Sequence, residues 1–324
     1  MKTLAIELSL LRELVIVGIN SSEPDEVPIT CTHYELGRRN KSGMISTIKS
    51  ILRFRALIEK LKPRAIIVNC ALAELFAVFL PKRIRIVVVE HVNPAWEGRK
   101  LLGHLIRSLI ARRASKVTAV SDHLHFSHSC RPIDLVIPNA QDVNLIGART
   151  YSNEYYKSME VRSIAFIGRL VDPQKRPGLA LRIAQLAQLP ITFYGDGPEK
   201  FKLELEAKSL STNVSFRGFV RSVWSEIPPD CLVIVPSLYE GDGLVATEAI
   251  LLNRPVAVSD IPEFRRFSLK ESAYISEVDM FVVNLKSNPS IESFIPPREL
   301  QVRLSSEREP KSLAVKWDAL LSSI

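Results

Sequence analysis

Two cations flank the loop that follows an apolar run. Ser163–Ile167 ends in Gly168-Arg169-Leu170, and Lys175-Arg176-Pro177 comes next, ahead of a helical pattern. Glycine at a strand end lets backbone approach a ligand closely. A guanidinium grips phosphate as a planar fork, and an ammonium acts as a point charge. Arg169 and Lys175 therefore suit a diphosphate; the plainer alternative is two solvated cations on an ordinary loop.

A second segment, Pro236-Ser237-Leu238-Tyr239-Glu240-Gly241-Asp242-Gly243-Leu244, also joins an apolar run to a helical pattern. Its glycines expose backbone N–H groups, and the start of the helix carries partial positive charge, so an anion is favoured there. Glu240 in the loop and Glu248 on the helix offer carboxylates to the hydroxyls of neighbouring polyols, such as a sugar and a ribose. Alternatively, Glu240 caps the helix and Glu248 pairs with a surface cation.

The elements that must hold these residues follow from the hydropathy pattern. Short apolar runs alternate with helical periodicity throughout, which predicts parallel α/β units with strands buried on both faces. Strands are expected at Val15–Ile19, Ala65–Asn69, Ile84–Val89, Val117–Val120 and Leu135–Ile137 in the first half. In the second half they are expected at Ser163–Ile167, Ile191–Tyr194, Val214–Phe216, Leu232–Val235 and Pro255–Val258. Helices are expected at Ile45–Leu61, Leu72–Phe79, Leu101–Arg113, 178–188, 198–210 and 244–252. The polar, strand-poor stretch 144–160 divides the chain into domains 1–150 and 151–309. A last helix, 310–324, has an apolar stripe that either domain can cover. Two such domains would face a cleft at the C-terminal ends of their strands, where open α/β sheets bind ligands.

In order, the runs GRLVDPQKRP, FYGDGPE, NVSFRGFV, VPSLYEGDGLVATEAI and RPVAVSDIPEF resemble glycosyltransferase family 4 over about 163–265. Weaker echoes, VTAVSD and VIPNAQD, extend back to residue 117. The resemblance implies the GT-B fold, with two Rossmann-like domains, and a nucleotide-diphosphate-sugar donor as co-substrate. It also implies transfer with retention, without a metal or other cofactor. By the same resemblance Arg169 and Lys175 would bind the donor diphosphate, with the Gly243, Leu244 and Val245 backbone helping; Asp242, where the family usually has an apolar or aromatic residue, is expected as a further donor contact. Glu240 would contact the donor sugar, Glu248 the ribose, and Val220 the nucleobase. His91, after the strand Ile84–Val89, would lie beside the sugar; outside the family a lone histidine at a strand end is more often structural.

Members of that family open on a strand and a glycine-rich loop. This chain opens on a helical pattern, Thr3–Leu14, that leads directly to VIVGIN, so the first strand and its loop are absent from the pattern. A displaced start, replacement by another segment or a partner chain, or a degenerate transferase would each account for this. Ala140 stands where the family has glycine. No Asp-x-Asp occurs to hold a metal-bridged diphosphate, and no GxGxxG follows a strand, which argues against a nicotinamide dehydrogenase. A GT-B sugar-nucleotide epimerase fits the EGDGL…E run less well.

Charge and composition bound the rest. The 324 residues have a formal net charge of +8, an unusual excess for an otherwise ordinary globular composition. Residues 1–152 hold 22 Lys and Arg against 13 Asp and Glu, whereas the remainder holds 21 against 22, so the excess lies in the first half. A basic half suggests an anionic partner. The helix RKLLGHLIRSLIARR (99–113), with Arg38, Arg39 and Lys41, suits an anionic membrane; packing on its sheet with cations outward is the simpler role. Nucleic acid is disfavoured, since no aromatic platform accompanies the charge. His123, His125, His128 and Cys130 form a suggestive cluster, but helical spacing sets His123 and His125 apart, and satisfied histidines are expected instead of zinc. Scattered cysteines (Cys31, Cys70, Cys130, Cys231), no secretory signal and no spanning segment predict a cytoplasmic protein, peripheral to the membrane. The expected function is sugar transfer from a UDP- or GDP-sugar to a saccharide or lipid-linked acceptor, in cell-envelope polysaccharide or glycolipid synthesis. The alternative is a non-catalytic pseudo-transferase acting as a partner subunit.

Overall fold

The computed structural model describes residues 2–20, 31–38, 44–92, 96, 100–126, 131–141, 149–210 and 212–324. The chain forms two compact units, one of residues 1–140 with 307–324 and one of residues 141–306.

The first unit begins with α1 (Lys2–Leu11), β1 (Val15–Asn20), β2 (Thr32–Arg38), α2 (Met44–Leu61), β3 (Ala65–Val68) and α3 (Ala71–Val78). β4 (Arg85–Glu90), α4 (Lys100–Arg113), β5 (Lys116–Ala119) and β6 (Leu135–Val136) follow. Its strands form two parallel sheets, β1-β2 and β3-β4-β5-β6. β4 is the most deeply buried of them, and Ile86, Val87 and Val88 are fully enclosed. Its apolar run Ile86–Val89 needs cover on both faces, and two separate clusters of buried side chains provide it.

The second unit contains β7 (Ser163–Ile167), α5 (Pro177–Ala187), β8 (Ile191–Tyr194), α6 (Lys200–Lys208), β9 (Val214–Gly218) and α7 (Val223–Glu226). It continues with β10 (Cys231–Val235), α8 (Leu244–Leu251), β11 (Val256–Ser259), α9 (Pro262–Arg265), β12 (Tyr274–Ile275), α10 (Val278–Ser287) and α11 (Arg298–Glu307). One parallel sheet runs β12-β11-β10-β7-β8-β9. Chain order reverses direction at β7, which has β8 on one side and β10 on the other. The crevice beyond the C-terminal ends of β7 and β10 is therefore a topological switch point, where the two crossover connections leave in opposite directions.

The final helix, α12 (Pro310–Ser322), packs on α1 in the first unit, burying Leu313, Ala314 and Trp317 beside Leu4 and Leu8. Arg12 is salt-bridged to Asp318 across this pair. The units divide at Ala140/Gln141 rather than near 144–160, because Gln141 already bonds into the second unit, donating to the Leu244 carbonyl at 3.2 Å.

Candidate active site

Three loops at the switch point are tied together by backbone. Gly168 N–H donates to the Tyr194 carbonyl at 2.9 Å, Leu170 N–H to that of Asp196 at 3.0 Å, and Gly195 N–H to that of Gly218 at 2.7 Å. Gly195 sits at φ 141°, and a Cβ there would lie 1.9 Å from the Gly168 carbonyl oxygen. Only glycine lets the β8 turn press this closely on the β7 loop. The β7 loop is tied to the β10 loop as well, since Leu238 N–H donates to the Gln174 carbonyl at 2.8 Å.

On this frame Lys175 and Glu240, 65 residues apart, meet. The Lys175 ammonium donates to Glu240 Oε1 at 2.5 Å, and the Ser237 hydroxyl donates to the same oxygen at 2.7 Å. Glu240 is 7% exposed and Ser237 is buried, so the carboxylate is held in one position and does not cap the helix. Arg169 is exposed, and its guanidinium has no partner among the described residues. A cation beside a frame and unspent among the described residues is available to a ligand.

Gly243 starts α8 at φ 63°, with the Phe264 ring where a Cβ would be: Cε1 would lie 2.7 Å away. Glycine is thus required twice over, and it directs the N–H groups of the first turn, at Leu244 and Val245, out of the helix end. Leu244 is exposed and Val245 packs on the core. Asp242, expected among the donor contacts, is buried and paired internally: Arg266 Nη2 donates to its carboxylate at 3.0 Å and to its carbonyl at 2.6 Å.

Among the described residues Glu248 pairs with no surface cation. Trp224 Nε1–H donates to its Oε2 at 2.8 Å, and the Gln141 amide lies 3.5 Å from Oε1. Burial pushes the Glu248 carboxyl above the usual range, and the Trp224 bond opposes this. Val220 is half-buried against the core of the same unit, beside the exposed Phe219. The motif reading assigns no role to Ser237, Trp224 or Gln141. Their bonds to the two glutamates span 3, 24 and 107 residues, and no local pattern signals the longer ones.

His91 belongs to the first unit. It follows β4, and its Nε2 lies 2.5 Å from Asn69 Oδ1 at the end of β3. Behind it, Glu90 and Glu74 share Arg107, all three at most 3% exposed. Ser121–Phe126 is a turn followed by irregular chain rather than a helix, and the Ser121 hydroxyl lies 2.9 Å from His123 Nδ1. His128 and Cys130 lie outside the described residues, as do Arg39, Lys41 and Arg99. Among the described residues no three His, Cys, Asp or Glu side chains converge as metal ligands. No described helix is long and apolar enough to cross a membrane.

Residues 161–286, which contain the whole frame, match the family model of glycosyl transferases group 1. The chain as a whole superimposes on the crystal structure of Anabaena Alr3699/HepE in complex with UDP and glucose. That match has a TM-score of 0.76 at 15% identity and covers 100% of this chain and 96% of that one. The fold is GT-B. Two further relatives align over part of the GT-B chain. Poly(ribitol-phosphate) alpha-N-acetylglucosaminyltransferase of Staphylococcus aureus (strain COL) is 33% identical over 105 residues, 30% of this chain and 21% of the relative. Poly(glycerol-phosphate) alpha-glucosyltransferase of Bacillus subtilis (strain 168) is 32% identical over 108 residues, 33% of this chain and 16% of the relative. The matched segment is thus only 21% of one relative and 16% of the other.

Proposed function

We propose that the protein is a retaining glycosyltransferase of family 4 that moves a sugar from a UDP- or GDP-sugar to a saccharide or lipid-linked acceptor in cell-envelope polysaccharide or glycolipid synthesis. The observation that carries this reading is the switch-point frame. It sets an unspent guanidinium, a lysine already engaged with a buried carboxylate, and a helix N-terminus around one crevice. UDP and glucose in the GT-B neighbour, and the transferase names of the two relatives, agree with it. With these parts assembled, a non-catalytic subunit is not favoured.

In this reading Arg169, Lys175 and the Leu244–Val245 N–H groups hold the donor diphosphate, Glu240 the sugar hydroxyls and Glu248 the ribose hydroxyls. Val220 lines the nucleobase, and His91 serves the sugar from the first unit. The bond from the anomeric carbon to the diphosphate oxygen breaks as the acceptor hydroxyl bonds to that carbon on the same face. The hydroxyl proton passes to the departing phosphate. Two cations and a helix end neutralise the leaving charge where it develops, and they do this without a metal ion. No carboxylate nucleophile is assigned.

Titration calorimetry with UDP, GDP and their sugar conjugates tests the assignment without added metal. One sugar nucleotide is expected to bind. Glu248→Ala should weaken it by about 1.5–3 kcal/mol, the worth of hydrogen bonds to a charged acceptor, or roughly ten- to hundredfold in Kd. Unchanged affinity in that variant would remove the ribose role.

A cytoplasmic, membrane-peripheral location is part of the proposal. The run 99–113 forms α4 (Lys100–Arg113). In the structure that helix buries Gly103, Ile106, Arg107 and Ile110 and leaves Leu101 89% and Leu105 59% exposed, flanked by exposed Lys100 and Arg112. Exposed leucines beside cations suit an anionic bilayer surface. Flotation with anionic phosphatidylglycerol vesicles is expected to carry the protein, and L101D/L105D should cut partitioning at least about tenfold. Equal flotation of both proteins would place the membrane contact elsewhere or nowhere.

A further inference from the structure

We infer that Trp224 is a positioning residue that makes the nucleotide site reject 2′-deoxyribose, by fixing the Glu248 carboxylate in one orientation. The inference rests on the ribose role proposed above for Glu248.

An indole has one polar atom, a donor, and a buried indole must spend it on an acceptor. Trp224 is 2% exposed, and its N–H donates to Glu248 Oε2 at 2.8 Å. A backbone carbonyl would satisfy the ring at less cost. Burial pushes the Glu248 carboxyl up, and the indole N–H works against that rise. The other oxygen, Oε1, lies 3.5 Å from the Gln141 amide, at the long limit of a hydrogen bond. One oxygen is thus locked from the buried side. The second is loosely held, on a residue that keeps partial exposure.

The backbone of Trp224 is fixed as firmly as its ring. A helix of four residues such as α7 ends on carbonyls that no further turn satisfies. Arg254 takes two acceptors there: its Nη2 donates to the Trp224 carbonyl at 2.9 Å and its Nη1 to that of Ile227 at 3.2 Å. This guanidinium is 2% exposed and lies 4.7 Å over the Tyr151 ring. A buried cation is an expensive way to satisfy two carbonyls. Here it ties α7 to the end of α8, where the Arg254 N–H donates to the Ala249 carbonyl at 2.8 Å. Trp224 therefore meets α8 and its end twice, through its ring at Glu248 and through its carbonyl at Arg254.

The consequence is selectivity. An unpinned glutamate can turn from a missing hydroxyl to water. A carboxylate pinned through Oε2 cannot, so a ribose without its 2′-hydroxyl leaves a partly buried charge unmet. Sites built to bond a hydroxyl reject the analogue lacking it for this reason. Without the indole N–H the carboxylate re-aims, and the preorganisation that separates the two sugars is lost.

Calorimetry with UDP, 2′-deoxy-UDP, GDP and 2′-deoxy-GDP tests this. The wild-type chain should bind one ribonucleotide about ten- to hundredfold more tightly than its deoxy form. Trp224→Phe should bring that ratio to within about threefold, chiefly by weakening the ribonucleotide. Trp317→Phe makes the same exchange in the core of the first unit, where Trp317 is 4% exposed, and should keep the wild-type ratio. If Trp224→Phe does not fold, benzothienylalanine at position 224 gives the same comparison, since it keeps the ring size and puts sulfur in place of the N–H. With a ribonucleotide still bound, a wild-type ratio near one, or a ratio unchanged at position 224, would overturn the inference and leave the donor site standing. Failure of the wild type to bind any of the nucleotides would overturn the donor-site reading and the inference with it.

Discussion

Arg169→Ala should leave the fold intact and nearly abolish sugar transfer. The side chain is exposed and spends no hydrogen bond among the described residues, so its removal should change unfolding free energy by no more than about 0.5 kcal/mol. Transition-state charge is another matter. The leaving diphosphate gains negative charge in a crevice whose other cation, Lys175, is already shared with Glu240. Loss of one preorganised donor at developing charge typically costs about 10²–10³-fold in kcat. Arg169→Lys should recover only part of this, because an ammonium keeps the charge but lacks the planar fork. Steady-state kinetics beside thermal melts decides it. A large drop in Tm with activity retained would make Arg169 a structural residue.

The largest effect on stability is expected at Arg107. Its guanidinium donates to Glu74 Oε1 at 2.7 Å and Glu90 Oε2 at 2.5 Å, and lies 4.5 Å above the Phe126 ring. Trp96 Nε1–H adds a bond to Glu74 at 2.8 Å. One cation cannot neutralise two buried carboxylates. Burial pushes Glu90 from 4.5 to about 7, with the Glu74 charge adding to the rise and Arg107 opposing it. Arg107→Met would strand both acids, at a cost of about 3–5 kcal/mol near neutral pH. The pH dependence has a definite sign. The unfolded chain releases the Glu90 proton near 4.5 and the folded chain near 7. Between those values the native state holds more protons, so the Glu90 contribution to stability is present below the window and is lost as pH rises through it. Urea unfolding of wild type and Glu90→Gln isolates this slope: the variant should lack it. Parallel pH profiles would show that Glu90 does not titrate there.

The same triad illustrates why the site of Arg107 escaped the sequence. Arginine within RKLLGHLIRSLIARR reads as an outward cation, since nothing within a few residues explains its burial. Its partners lie 33 and 17 residues away on α3 and β4. Strand β2 escaped for a different reason. THYELGR is polar and lies at the edge of a two-stranded sheet, so it lacks the unbroken apolar run that marks buried parallel strands. By contrast, β7 and β8 begin and end where their apolar runs do.

Local pattern was sufficient for the α/β class, for most strands and helices, and for the loops that carry Arg169, Lys175, Glu240 and Glu248. These depend on periodicity and on glycine placement, which act over a few residues. Packing alone established that Lys175 meets Glu240, that Trp224 holds Glu248 and that Asp242 is spent on Arg266. Each of those pairings depends on which strands become neighbours and where chain order reverses. Contacts between residues distant in sequence settle that order, and hydropathy along the chain carries no record of it.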